Sequence, residues 1–137
     1  MKLKSKKKKG FTLIELVAVV AILAILAAVL VPSVGGYITR SRKAAVITQC
    51  REFVNAVETY DLTAKAKIEK TKKVSDLVGD GKVLTNADLL TDTKLDKIQE
   101  ITIEKAREIN ADDGALDKIK INKDTHIFES YAKIDNK

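Results

Sequence analysis

The sequence predicts an α+β fold: one long N-terminal α-helix, apolar over its first half and amphipathic over its second, packed on a small antiparallel-sheet head. Three observations carry this. Residues 16–31 are all apolar, and residues 11–38 hold a single charge, Glu15. Val46, Cys50, Phe53, Val57, Tyr60, Ala64 and Ile68 then recur at spacings of four and three, the repeat of one helical face, opposite Arg51, Glu52, Asn55, Glu58 and Thr59. Beyond them, short apolar runs alternate with Gly, Asn and Asp turns, the pattern of a small head. The expected organisation is a basic leader at 1–10, an apolar helix at 11–38, its amphipathic continuation at 39–73 and a globular head at 74–137.

A chain of 137 residues has room for one small core beside one long helix, which excludes a large enzyme. Its net charge of +6 invites a nucleic-acid reading, so the position of the charges decides. Lys2, Lys4, Lys6, Lys7, Lys8 and Lys9 account for all of it, since removing these six from the 25 basic residues leaves 19 against 19 acids. The remainder has no net field to draw a polyanion, and a nucleic-acid partner is not indicated.

As a helix, residues 11–38 would rise roughly 42 Å, more than the ~30 Å hydrocarbon thickness of a bilayer. The segment is long enough to span, and the lysines before it place the N-terminus in the cytoplasm. An ordinary secretory signal shares a basic start and an apolar middle. Against that reading, no A-x-A cleavage pattern lies in the run, although Ser33-Val34-Gly35 is a loose substitute. Glu15 also counts against it, because a carboxylate at a membrane helix centre costs about 2.5–3.5 kcal/mol, and less near an interface.

The string Lys9-Gly10-Phe11-Thr12-Leu13-Ile14-Glu15, followed by the apolar run and by Pro32, resembles the class III signal of type IV pilins and of type II secretion and competence pseudopilins. The resemblance covers residues 1 to about 60 and implies a pilin-like fold. It implies cleavage between Gly10 and Phe11 by a membrane peptidase that also methylates the new amino group of Phe11. Glycine suits that position because no side chain obstructs approach to the peptide bond. The resemblance further implies that Phe11, Thr12 and Glu15 govern assembly and register: the Phe11 ammonium is a cation in apolar surroundings, and the Glu15 carboxylate can neutralise it on its own or a neighbouring chain.

Pro32 removes one backbone hydrogen bond, and Gly35 and Gly36 follow it, so a break or bend in the helix is expected there. Ala21, Ala24, Ala28 and Gly35 share a stripe along which helices can approach closely.

In the head, Gly79-Asp80-Gly81 reads as a turn, and Thr85-Asn86-Ala87-Asp88 as the cap of a short helix through Leu90. Leu95, Ile98, Ala106 and Ile109 suggest another helix, with Ile101-Thr102-Ile103 a competing strand. Ile119-Lys120-Ile121, a turn at Asn122-Lys123-Asp124, and residues 125–131 read as a hairpin. Cys50, the lone cysteine, cannot form an internal disulfide and fits the apolar stripe. Asp112, Asp113 and Asp117 around Gly114 are a calcium alternative whose spacing is not that of an EF-hand. His126 reads as an exposed strand residue. No nucleophile, phosphate-loop or zinc pattern occurs, so no catalytic residue, metal site or cofactor is expected and the chain is not read as an enzyme.

The resemblance implies a structural subunit of a type IV pilus, a prepilin cut after Gly10 and assembled through its N-terminal helix. The alternative is a pseudopilin of a type II secretion or competence DNA-uptake system, and a third reading is a membrane-anchored binding domain. The partners implied are identical or related pilin subunits, a prepilin peptidase and methylase, an inner-membrane platform protein, an assembly ATPase, and membrane lipid before assembly. The location implied is the cytoplasmic membrane, single-pass, and then an extracellular filament.

Overall fold

A computed structural model describes residues 10–90 and 95–132; the lysines of the expected leader, in residues 1–9, lie outside the described residues. Helix α1 runs from Leu13 to Thr63, and the chain divides within it, between Ile38 and Thr39, into two compact units.

In the first unit every described residue is exposed, including Ile14 at 78% and Val29 at 68%. The break expected at Pro32, Gly35 and Gly36 is absent from the isolated chain, since α1 passes through all three. Proline's fixed φ is helical, so the loss of one N–H, the partner of the Ala28 carbonyl, weakens the helix here without ending it.

In the second unit the amphipathic stripe is buried as its spacing requires: Val46, Cys50, Phe53, Val54, Ala56 and Val57 face the core. The helix stops at Thr63, ten residues short of the expected 73. There the Asp61 carboxylate accepts the backbone N–H of Ile68 at 2.9 Å, turning the chain so that Ile68 packs back against the core. Cys50 is fully buried, and that burial pushes its thiol up to about 12, so it serves as a small apolar side chain.

Short helices follow: α2 (Val74–Leu77), α3 (Val83–Asn86), α4 (Ile103–Ala111) and α5 (Ala115–Lys118), then strands β1 (Ile119–Ile121) and β2 (Phe128–Tyr131). Gly79 and Gly81 adopt φ of 131° and 74°, the left-handed conformations that this turn requires of glycine. Thr85 does not cap a helix through Leu90. It lies inside α3, where its Oγ1 accepts the N–H of Gly79 at 2.9 Å, and Asp88 at φ 55° reverses the chain just beyond.

Leu95 and Ile98 are buried from an irregular segment rather than a helix. Gln49 of α1 ties that segment down, donating to Asp96 and accepting from the Lys97 N–H, both at 3.0 Å. Helix α4 starts only at Ile103 because Thr102 caps it, Oγ1 accepting the Lys105 N–H at 3.2 Å. Of the competing strand, a single bridge from Thr102 to Lys73 remains.

The hairpin forms with β1 antiparallel to β2, pairing Ile119 with Tyr131 and Ile121 with Phe128 across a bulge. Its return strand begins at Phe128 rather than Thr125. Asn122 Oδ1 accepts the N–H groups of Asp124 and Thr125 at 2.9 and 3.0 Å, and His126 takes φ 60°, so residues 122–127 form a loop and His126 leaves the strand.

One polar cluster pins the hairpin to the end of α4. Asp112 accepts hydrogen bonds from Lys118 Nζ at 2.8 Å, from the Tyr131 hydroxyl, and from the Gly114 N–H at 2.9 Å. Lys118 and then Tyr131 hold the Asp112 carboxyl down to about 2, while burial and then Asp112 push the Tyr131 phenol up to about 12. One carboxylate oxygen of Asp112 is thereby committed to a lysine and a tyrosine, and the other to a backbone N–H. Among the described residues no group of three or more metal-capable side chains converges.

The folded value of Asp112 lies below the ~3.9 of an unfolded aspartate. Its contribution to stability is therefore fully present above about pH 4 and is lost as pH falls toward 2. Acid titration followed by circular dichroism should show the head weakening over that window. Asp112→Asn should lower stability at neutral pH and make the acid limb shallower; an unchanged limb would remove this role for Asp112.

Candidate processing and assembly site

The first turn of α1 brings together Thr12 and Glu15. Thr12 Oγ1 accepts the N–H of Glu15, and Glu15 Oε2 accepts the N–H of Thr12, each at 3.3 Å. This reciprocal pair is a capping box, in which the residue before the helix and the third residue within it each satisfy an N–H that has no partner inside the helix. The first helical bond, from the Leu16 N–H to the Thr12 carbonyl, closes at 3.2 Å beside it. A negative side chain here also meets the positive end of the helix dipole.

Lipid cannot supply hydrogen bonds to bare N–H groups, so a helix starting in or near a bilayer needs this internal satisfaction more than one in water does. Glu15 thus has a task in its own chain, which the motif alone did not reveal. The signal was present as Thr-x-x-Glu at residues 12–15. Oε1 makes no bond among the described residues and remains available to a cation.

Gly10 and Phe11 precede the helix, and Phe11 is 92% exposed. A Cβ built on Gly10 would meet nothing within 4 Å, so the chain's own packing does not demand glycine there. The same holds for Gly35 and Gly36. Pro32, Gly35 and Gly36 lie well along α1 from this turn, since Pro32 follows Glu15 by roughly 25 Å of helical rise. The structure therefore groups Gly10, Phe11, Thr12 and Glu15 at one end and leaves the three helix-weakening residues as a separate feature.

Thr12→Ala should fray this turn while leaving the head intact. A lost N-terminal cap costs about 1 kcal/mol, so amide exchange at Glu15 should accelerate roughly fivefold in detergent micelles, read by NMR. Unchanged exchange would show that the box contributes nothing.

Residues 5–31 match the family model for the prokaryotic N-terminal methylation motif, 27 of the 137 positions. No curated protein and no solved structure matches the chain. The match covers the Gly10–Phe11 bond, the capping box and the apolar run, and α1 is the one described helix long and apolar enough to cross a membrane. The chain carries the class III signal of type IV pilins and pseudopilins, set on a long apolar helix that continues into a small head with a two-stranded antiparallel sheet, an α+β, pilin-like arrangement.

Proposed function

We propose that this chain is the precursor of a type IV pilus subunit, cut between Gly10 and Phe11 and methylated on the Phe11 nitrogen. Residues 11–38 then pass from the membrane into the core of a helical filament. The observation that carries this reading is a long apolar helix surface left uncovered by the described residues, with an acid at its first turn. Such a surface is stable only in lipid or against other apolar helices. A filament of identical helices supplies the second environment, and the stripe of Ala21, Ala24, Ala28 and Gly35 allows their close approach.

Glu15 links the two environments. In the lone subunit its Oε2 caps the helix, and Oε1 is left for the Phe11 ammonium that cleavage creates, on the same or a neighbouring subunit. Only a correctly staggered neighbour brings that cation to the acid, so the pair selects register while removing two unfavourable charges from apolar surroundings. Pro32, Gly35 and Gly36 mark where the helix would unwind when packed in the fibre, their weakness being latent in the isolated chain.

We read the role as structural. A peptidase and methylase, a platform protein and an assembly ATPase would act on the chain at the membrane before the fibre reaches the cell surface. A pseudopilin would share all of this and differ in filament length.

Electron microscopy of sheared surface filaments, with mass spectrometry of their main component, tests the reading: long fibres built of a chain that begins at methylated Phe11 are expected. A mature chain starting at Met1 or after about Gly35 would refute it. Glu15→Ala should still insert in the membrane with a folded head, yet lose filaments at least a hundredfold or so, the scale of removing one partner of a buried charge pair. Normal fibres from that variant would overturn the account of Glu15.

A further inference from the structure

A groove of about 680 Å³ opens on the head where the start of its portion of α1 meets the β1–β2 loop. Arg42, Lys43, Lys120 and Lys123 line it, against Asp124 and Glu129, a balance of two positive charges in a chain that is neutral overall beyond its leader. None of the four cations makes an ion pair or hydrogen bond among the described residues. A surplus of cations lining one groove favours the entry of an anion.

Charge order along the sequence indicates which anion. The uncharged run that follows Glu15 ends at Thr39, and Arg40, Arg42 and Lys43 are the first charges beyond it. About 20 apolar residues suffice to cross the hydrocarbon, so in a chain that spans a bilayer these cations fall at the headgroups of its far side. We propose that the groove docks the phosphate of anionic phospholipids, holding the head against the outer face of the membrane while the subunit waits there. Lysine and arginine supply several N–H donors and no acceptor, the chemistry that a phosphate diester requires. Withdrawing the helix from lipid would break these contacts together. The proposal rests on the membrane placement of residues 11–38 and does not depend on the filament.

The test uses the full chain in nanodiscs of phosphatidylcholine, with and without phosphatidylglycerol, read by backbone hydrogen exchange. Exchange across residues 120–127 should slow several-fold in the anionic discs, and high salt should reverse the effect, while α4 stays unchanged in both. The exposed double variant Lys120→Ser/Lys123→Ser should lose the difference between the two lipids. Equal exchange in both discs, or an undiminished difference in the variant, would overturn the proposal. So would protection produced fully by inorganic phosphate in neutral discs, which would assign the groove to a soluble anion. Protection that rises with protein density in neutral discs would assign it to a second copy of the chain and also overturn it. A chain that enters neither disc would refute the membrane placement, and this proposal with it.

Discussion

The structure depends on one imbalance: one half of a long helix buries its apolar face in a head, and the other half is apolar and, among the described residues, exposed throughout. Val46, Cys50, Phe53 and Val57 are enclosed, while Leu13, Ile14, Val29 and Val31 stand exposed on the same helix. Removing apolar surface from water is the main driving force available to a chain of this size. A molecule that leaves so much of it unused within itself is built to spend that force elsewhere. Lipid and sister helices are the two environments that accept a smooth apolar rod without requiring a matching cavity.

The first turn resolves the difficulty this creates. A helix beginning in an apolar medium presents N–H groups that no solvent will bond, and a terminal ammonium there is more costly still. Thr12 and Glu15 answer the first need through their reciprocal bonds. Under the proposed processing, the spare carboxylate oxygen would answer the second. One acid would then serve the isolated subunit and the assembled one, which accounts for a charge at the edge of an otherwise uncharged run.

Legibility in the sequence followed the strength of the local signal. The apolar run and the three-four repeat through Val46, Cys50, Phe53 and Val57 were plain because burial imposes them residue by residue. Gly79 and Gly81 were plain because left-handed turns admit few other residues. The end of α1 was not, since it depends on Asp61 reaching the Ile68 N–H across seven positions, a contact that no periodicity encodes. Thr85 has the composition of a cap, but the turn before it places it inside α3. Thr102, three positions before Lys105, is the cap that operates, and it starts α4 later than the apolar spacing from Leu95 implied. The bond from Tyr131 to Asp112 joins residues that nothing in the linear chain connects. At the candidate processing site the motif at residues 5–31 was legible in the linear chain, whereas the capping geometry depends on where the helix starts.

The head's enclosed side chains all lie at or beyond Val46 among the described residues, far in sequence from the Gly10–Phe11 bond. Among the described residues, the core takes no side chain from the segment around that bond. If the chain is cut there as proposed, maturation and the packing of the head would be separate decisions, the one taken on a single peptide bond and the other by side chains far from it in sequence. Under the proposed placement the cell could hold a reservoir of finished heads in its membrane, with quality control already passed. Licensing for use would then come last, from the opposite side of the bilayer.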